Sequence, residues 1–289
     1  MASTTAPRAR VRRDLCPGVL RPWIADDGAL VRLRLVGGRL PRASLRGLLD
    51  VAATYGDSEI HLTARANLQL RAMPSEDGAL PRSVVRAIAA TGLMPSPSHE
   101  LVRNLMLSPA SGLSGGRAGL RPVVDELDRR LCADPALAEL PGRFLFVLDD
   151  GRGDLGDRSC DLGLVALDEQ TGQVRLGSAG WGPVVTLDEA AHVLVGLARL
   201  FLQVRGDGPT APWHVDELDD ELDHLAVPRD PRLPTPTGPL PFGEGPAGRH
   251  LEVPGGRLVP SLAEELLDTG CDLVVTPWHG VLLCRREIR

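Results

Sequence analysis

The chain has 289 residues and a formal net charge of −6, and all 32 of its basic residues are arginine. The negative charge disfavours nonspecific nucleic-acid binding, and no apolar run approaches the roughly 20 residues of a membrane-spanning helix. The basic first 13 residues lack the apolar core of a signal peptide, so we expect a cytoplasmic protein without a membrane or nucleic-acid partner.

Residues 28–71 are predicted to form a strand, a helix and a second strand. Residues 29–36 alternate apolar and polar side chains, as a half-buried strand does, and the Gly-Gly pair after them ends the strand because glycine adopts positive φ readily. The apolar residues of 42–55 share one helical face. A second strand then begins at residue 59 and is predicted to continue to the end of this unit.

Four polar residues alternate at the end of this second strand and are predicted to share one face of a sheet: Arg65, Asn67, Gln69 and Arg71. Two guanidiniums and two amides in a row suit a planar ligand that carries several carboxylates. The alternative is a solvated sheet face, which the spacing alone favours.

The middle of the chain is predicted to be an α/β domain. Its expected elements are a helix over 80–92, a strand over 99–109, a helix over 121–132, strands over 143–148, 160–167 and 173–176, and a helix over 187–202 with Thr186 as its N-cap. The acidic, glycine-rich residues 149–157 are predicted to form a solvated hairpin loop rather than a cation site, because their spacing fits no EF-hand.

Residues 205–248 are rich in proline and contain an acidic run, and they are predicted to be a linker with one short exposed helix. His214 and His224 flank the acidic run. A metal site there is the alternative to a solvated helix, which is favoured.

Residues 251–283 echo residues 35–70. Both stretches contain Gly-Gly-Arg-Leu, then a helix (260–267 in the second copy) and a strand that ends in threonine. Trp278 occupies the position equivalent to Arg65, so the polar row is not repeated. We expect two similar units that pack across a shared sheet about a pseudo-two-fold axis, of which only the first carries the polar face.

Several segments, in this order, resemble the siroheme-dependent sulfite and nitrite reductase superfamily, and most closely its precorrin-3B synthase branch. The segments are Cys16-Pro17-Gly18, residues 27–34, residues 63–71, residues 99–104, residues 140–144 with 149–151, and Thr276-Pro277-Trp278. The resemblance implies an α+β fold in which duplicated ferredoxin-like half-domains flank an α/β domain. The expected divisions are a disordered tail (1–14), half-domain 1 (15–78), the α/β domain (79–204), the linker (205–248) and half-domain 2 (249–289).

The resemblance also implies a ligand site. Arg65, Arg103 and Arg143 match positions that bind the carboxylates of a tetrapyrrole, and we expect all three to face one cleft. Asn67, Gln69 and Asn104 are expected near the ring, with Asn67 and Gln69 on the floor of the cleft. No catalytic residue and no metal ligand is assigned.

In the precorrin-3B synthase branch, the implied reaction is O2-dependent hydroxylation and lactone formation on precorrin-3A during aerobic cobalamin biosynthesis, with iron carrying out the oxygen chemistry. Leu145 stands where the reductases carry a second catalytic lysine, which disfavours the further alternative, sulfite or nitrite reduction. The family also implies a [4Fe–4S] cluster, whose cysteines follow the second half-domain with the spacings C-x5-C and C-x3-C. The chain stops at Arg289, where that region is expected, so we expect it to bind no cluster alone.

Two functions therefore stay open at this point. The first is a precorrin-3B synthase-like oxidoreductase that acts on a polycarboxylate tetrapyrrole and takes electrons from an unidentified donor. The second is a relative that lacks the cluster and binds a tetrapyrrole without turnover, or the N-terminal half of a split enzyme with a separately encoded second half. Cys271 and Cys284 are predicted to be core residues.

Overall fold

The computed structural model describes residues 14–208, 210–218 and 222–285, so the predicted tail lies almost wholly outside the described residues. The helices in this part are α1 (Arg42–Tyr55), α2 (Arg82–Ala90), α3 (Arg121–Ala133), α4 (Leu187–Arg205) and α5 (Pro260–Asp268). The strands are β1 (Trp23–Ala25), β2 (Gly28–Leu33), β3 (Arg39–Leu40), β4 (Ile60–Leu62), β5 (Leu68–Met73), β6 (Leu105–Leu107), β7 (Phe146–Asp149), β8 (Leu162–Ala166), β9 (Thr171–Leu176), β10 (Gly180–Thr186), β11 (Gly243–Gly245), β12 (Gly248–Glu252), β13 (Arg257–Leu258), β14 (Leu273–Thr276) and β15 (Gly280–Cys284).

The two half-domains have the same topology, and each gives one short strand to the other. The first sheet has the order β1-β2-β5-β4-β13, and the second has the order β11-β12-β15-β14-β3. Thus β13 of the second unit pairs with β4 of the first, while β3 of the first unit pairs with β14 of the second. The predicted duplication is confirmed, but the units form two sheets with exchanged strands instead of one shared sheet. The second unit also begins at β11, earlier than residue 249.

The strand exchange depends on a Gly-Gly turn before each short strand. Gly37 and Gly38 have φ values of 56° and 73°, and Gly255 and Gly256 have values of 60° and 69°. A Cβ on Gly38 would lie closer than 3.0 Å to the carbonyl oxygen of Val275 in β14. Glycine is therefore required here both by the left-handed backbone and by the close approach of the other unit.

A single apolar core joins the two half-domains. Helices α1 and α5 pack against each other, and α2 packs against α1. The core includes Leu45 and Leu48 from α1, Leu68 from β5, Leu266 from α5 and Val275 from β14. Since aromatic residues make up only 3% of the chain, aliphatic side chains supply this core, as the composition predicts.

The α/β domain has a five-stranded sheet in the order β10-β9-β8-β7-β6. Strands β6, β7 and β8 are parallel to one another. Strand β9 pairs antiparallel with β8, and β10 pairs antiparallel with β9. Helices α3 and α4 cover one face around a core with Phe144, Phe146 and Phe201. The predicted N-cap of α4 is confirmed, because Thr186 Oγ1 accepts a hydrogen bond from the N–H of Glu189.

The strand predicted over residues 99–109 is mostly a turn. Only Leu105–Leu107 forms a strand, and a 3-10 turn (Pro97–His99) precedes it. The carboxylate of Glu100 accepts hydrogen bonds from the backbone N–H groups of Val19 (2.7 Å) and Leu20 (2.8 Å). These contacts tie the turn to the Cys-Pro-Gly segment and explain why the strand is shorter than its apolar pattern predicts.

The proline-rich segment packs along the α/β domain. It contains 3-10 turns at Val215–Glu217 and Asp223–Leu225 in place of the predicted short helix, and residues 219–221 lie outside the described part. Val215 and Leu233 are buried, and the N–H of Thr237 donates to the carbonyl oxygen of Gly153 at 3.0 Å. We call residues 227–237 the strap. No helix in the described ranges is both long and apolar enough to cross a bilayer.

Candidate functional site

The predicted polar row is divided between a turn and a strand. Strand β4 ends at Leu62 and β5 begins at Leu68, so Arg65 and Asn67 lie in the reversal between two antiparallel strands. Thr63 Oγ1 accepts the N–H groups of Arg65 (3.3 Å) and Asn67 (3.1 Å), and Ala66 adopts a φ of 55°. The prediction that all four residues share a sheet face is wrong, because the hairpin reverses within the row.

Asn67 and Asn104 are buried and join the first half-domain to the α/β domain. Asn67 Oδ1 accepts the N–H of Leu35 at 2.9 Å, and its Nδ2 donates to Asn104 Oδ1 at 3.3 Å. Asn104 Nδ2 donates to the carbonyl oxygen of Gly142 at 2.9 Å. These amides serve the interface between domains, which leaves them little capacity for a ligand.

Arg34 completes this buried network, and the sequence analysis did not single it out. Its guanidinium donates to Asn104 Oδ1 (3.1 Å) and to the carbonyl oxygens of Pro17 and Gly142. Burial and the neighbouring charge of Arg32 lower the pKa of Arg34 to about 10. The available signal was its alternation with Arg32 along the predicted strand.

Arg65 and Arg143 meet although 78 residues separate them in the chain. Arg65 Nη1 donates to the carbonyl oxygen of Arg143 at 2.8 Å. Burial lowers the pKa of Arg65, and the positive charge of Arg143 lowers it further. Arg32 lies on the same side: burial and the charge of Arg65 lower its pKa, and its guanidinium donates to Gln69 Oε1.

These four residues, Arg32, Arg34, Arg65 and Arg143, are called the arginine cluster. Within the described part of the chain, no carboxylate oxygen lies within 4.0 Å of a guanidinium nitrogen of the cluster. Arg143 is exposed and lies 5.7 Å from the ring centroid of Trp213. Like charges held together without paired carboxylates create a positive potential that attracts an anion.

Arg103 does not join the arginine cluster. Its Nε and Nη2 donate to the two carboxylate oxygens of Asp128 in α3 at 2.6 and 2.8 Å. This bidentate pair is largely buried and fixes the start of the segment that leads into β6. The hydrogen bonds of Arg103 contradict the expectation that it faces a cleft with Arg65 and Arg143. Helix α3 supplies a carboxylate that binds its guanidinium, and the sequence pattern did not reveal this partner.

Arg71 and Gln69 also have partners within the protein. Arg71 forms an exposed ion pair with Asp27 at 3.0 Å, in the loop between β1 and β2. Gln69 accepts both hydrogen bonds from Arg32, so it orients a member of the arginine cluster.

A buried carboxylate lies close enough to Arg65 for the two charges to interact. Asp161 accepts the N–H groups of Leu145 (2.7 Å) and Val215 (3.1 Å), and His214 Nε2 lies 3.7 Å from its Oδ1. Burial raises the pKa of Asp161 to about 6. His214 belongs to no group of three metal-ligating side chains among the described residues, and nothing in the local sequence pattern indicated its contact with Asp161.

Arg158 ties both half-domains to the α/β domain. Its Nη1 donates to the carbonyl oxygen of Ala64 (3.3 Å), and its Nη2 donates to that of Pro277 (3.1 Å). These two carbonyls follow Thr63 and Thr276, the equivalent residues of the two units. The α/β domain therefore contacts both turns through one guanidinium.

The position of Leu145 is apolar in its surroundings as well as in its side chain. Leu145 is buried with Met106, Val147 and Cys160, and Trp278 packs against this group. A lysine there would place an ammonium group in an apolar cluster. The surroundings therefore suit the leucine side chain and would disfavour the charged lysine that the reductases carry at this position.

The cysteines do not fit a [4Fe–4S] cluster, which needs four converging thiolates. All five are free thiols: Cys16, Cys132, Cys160, Cys271 and Cys284. No group of metal-ligating side chains found in the described ranges contains a cysteine. Cys284 is buried in the second half-domain, as predicted, while Cys271 is only partly buried.

Comparisons with known proteins place these features in context. Residues 25–78 match the nitrite/sulfite reductase ferredoxin-like half domain. A precorrin-3B synthase from Sinorhizobium sp is 30% identical over 176 residues, which are 60% of this chain and 36% of that protein. A ferredoxin–nitrite reductase from Synechococcus elongatus is 29% identical over 129 residues, which are 43% of this chain and 25% of that protein.

A solved structure has the same fold. The Mycobacterium tuberculosis NirA protein matches with a TM-score of 0.60 at 16% identity, over 90% of this chain and 56% of that one. The matched regions thus span about a third, a quarter and a half of these three proteins. The predicted resemblance to the nitrite and sulfite reductase superfamily, including its precorrin-3B synthase branch, is confirmed.

Proposed function

We propose that the chain binds a polycarboxylate tetrapyrrole at the arginine cluster and takes part in a precorrin-3B synthase-like oxidation. The observation that carries this proposal is the meeting of Arg65 and Arg143 beside Arg32 without paired carboxylates. Guanidiniums bind carboxylates through paired, charge-assisted hydrogen bonds. A ring with several acetate and propionate groups supplies enough carboxylates for several arginines at once.

Within the cluster, the residues have different roles. Arg65 and Arg143 present guanidiniums to the ligand, and Arg32 is oriented by Gln69. Arg34 is buried beneath them and fixes the interface between the first half-domain and the α/β domain. Asn67 and Asn104 support the site through this interface, so we assign them to positioning rather than to ligand contact.

The type of reaction follows from the resemblance. One matched relative is a precorrin-3B synthase, from Sinorhizobium sp, and the apolar surroundings of Leu145 favour that reaction over sulfite or nitrite reduction. In a hydroxylation and lactone formation on precorrin-3A, this chain would bind the peripheral carboxylates and hold the ring in one orientation.

Titration with an octacarboxylate porphyrin tests the proposal directly. Fluorescence quenching should report saturable binding by the purified chain, and Arg65→Ala should weaken it by about 1.5–3 kcal/mol, or about 10- to 150-fold. Because the contacts are ionic, the affinity should also fall as salt increases.

Arg71→Ala is the matched control. It removes an arginine of the same half-domain whose exposed guanidinium pairs with Asp27, so the affinity should stay within about twofold of wild type. Equal affinities for wild type and Arg65→Ala, or equal losses in Arg65→Ala and Arg71→Ala, would contradict binding at the arginine cluster.

A further inference from the structure

Three carboxylates that the sequence assigns to a solvated loop are buried together. Asp149 ends β7, and Asp150 and Asp154 lie in the loop that follows. Their exposed fractions are 1%, 0% and 7%. The expectation of a plain solvated hairpin is therefore wrong. The loop lies under the strap, and the carbonyl oxygen of Gly153 accepts a hydrogen bond from the N–H of Thr237. We call these three residues the aspartate triad.

Hydrogen bonds satisfy most of the oxygens of the aspartate triad. Asp149 accepts three backbone N–H groups at 2.9–3.1 Å, from Gly151, Gly153 and Leu155. Asp150 accepts both Nε and Nη2 of Arg152. Asp154 Oδ1 accepts the hydroxyl of Ser108 at 2.7 Å.

One oxygen has no such partner. Asp154 Oδ2 is fully shielded from solvent and makes no hydrogen bond. Its closest cationic neighbour, Arg152 Nε, is 3.9 Å away and already bonds to Asp150. Leaving a buried polar atom without a partner costs roughly 1–3 kcal/mol, and more when it is charged. Asp154 Oδ2 therefore points to a ligand that can satisfy it.

The charge balance points to the same conclusion. Arg152 is the one cation within 4.0 Å of these carboxylates among the described residues, so two negative charges lack an ion-pair partner when all three carboxylates are ionised. Buried charge is strongly unfavourable unless it is neutralised. A divalent cation would neutralise both remaining charges.

The spacing of the oxygens allows the three carboxylates to share one cation. One carboxylate oxygen from each member of the triad lies within 4.8 Å of the others. Calcium binds protein oxygens in flexible geometry, whereas magnesium requires a near-ideal octahedron and usually keeps several waters, so a buried group of carboxylates favours calcium. We propose that the aspartate triad binds a divalent cation of calcium size, with Asp154 Oδ2 as one of its ligands.

Such a site would hold the strap against the sheet. The backbone of the loop contacts the strap twice: the N–H of Thr237 donates to Gly153, and its hydroxyl donates to the carbonyl oxygen of Arg152. A cation that orders the loop would stabilise these contacts. Its effect should therefore appear in the stability of the whole domain, independently of tetrapyrrole binding.

Thermal unfolding of the chelator-treated full chain tests the proposal. Calcium at about 100 times its Kd should raise Tm by roughly 5–10 °C, since binding to the folded state alone stabilises it by mass action. Magnesium at the same concentration should raise Tm less. Asp154→Asn should lose the calcium response, whereas Asp157→Asn, an exposed residue of the same loop, should keep it.

The alternative is a proton on Asp154 in place of the cation. In that case calcium leaves the wild-type Tm unchanged, and this result would overturn the proposal. An equal calcium response in wild type and Asp154→Asn would overturn it too, because the cation would then bind elsewhere. Equilibrium dialysis of the wild-type chain supplies a readout that needs no variant: one calcium per chain is expected, and none refutes the site.

Discussion

The two half-domains have the same backbone fold but differ in their arginine residues. Each has a Gly-Gly turn with positive φ before its exchanged strand. Each also has a threonine at the end of the inner strand (Thr63, Thr276) and, three residues later, a residue other than glycine with positive φ: Ala66 at 55° and His279 at 56°. Both units therefore contain the same two turns, one of which holds a residue other than glycine in the left-handed region at some energetic cost.

Two members of the arginine cluster, Arg32 and Arg65, have no arginine at the equivalent position of the second unit. Arg32 pairs across the sheet with Gln69, and at the equivalent pair the second unit has His250 and Leu282. Arg65 corresponds to Trp278, which packs on an apolar cluster of the α/β domain. The comparison teaches that the duplicated backbone builds the fold, whereas the arginines for which we propose ligand binding lie in one copy only.

Breaking the strand exchange should have the largest effect. Gly38→Ala places a Cβ on the carbonyl oxygen of Val275 and forces alanine into a left-handed conformation, so it should lower the free energy of unfolding by about 3 kcal/mol or more. Gly255→Ala has the same kind of backbone but no atom within 4 Å of the new Cβ, and should cost about 1 kcal/mol. Urea unfolding measures both, and equal losses would contradict the importance of the close contact.

The free energy of unfolding should depend on pH through the surroundings of the turn that carries Arg65, because this turn lies near the buried carboxylate of Asp161. Burial raises the pKa of Asp161 to about 6, so the folded state binds this proton more tightly than the unfolded chain. The free energy of unfolding should therefore fall as pH rises from about 4 to about 6, by about 3 kcal/mol in total.

Asp161→Asn isolates this contribution. The difference in stability between wild type and variant should change with pH over that window and become constant above it. Asp157→Asn, which is exposed, should show no such difference. A constant offset between wild type and Asp161→Asn from pH 4 to 7 would show that Asp161 does not titrate as proposed.

The smallest effect is expected at the ion pairs of the exchanged strands. Arg39 in β3 pairs with Asp125 at 3.0 Å, and its counterpart Arg257 in β13 pairs with Glu59. Arg39→Ala should lower the free energy of unfolding by less than about 1 kcal/mol, because solvent screens a partly exposed pair. The loss should shrink in 1 M NaCl, as should that of Arg257→Ala. A larger loss that persists in salt would mean that Arg39 contributes through packing.

The sequence contains enough information for the repeated units and little for their contacts. The helix α1 and the Gly-Gly turns follow from local periodicity and glycine chemistry, and so does the duplication. The strand exchange could not be predicted, because β3 and β13 are two residues long and pair with distant strands. Strand β10 was missed, since it contains glycine and proline and is largely exposed on one side.

The candidate site could be predicted only in part, because the partners of its residues are distant in the chain. Arg65 and Arg143 contact each other in the structure through a turn instead of a sheet face, and their role in ligand binding stays a prediction. The partner of Arg103 is Asp128, on a helix 25 residues away, and an arginine looks the same in a sequence whether it awaits a ligand or is already paired. Burial of the aspartate triad likewise depends on the strap, which is distant in the chain.

Arg158 forms hydrogen bonds to the main chain of both turns. It donates to the carbonyl oxygens of Ala64 and Pro277, and a carbonyl accepts a hydrogen bond whatever side chain its residue carries. The residues next to these carbonyls could therefore diverge after the duplication, one to arginine and the other to tryptophan, without loss of docking. Because such hydrogen bonds do not depend on the side chains of the turns, one copy of a duplicated unit can change its surface residues while both copies keep their contact with the same domain.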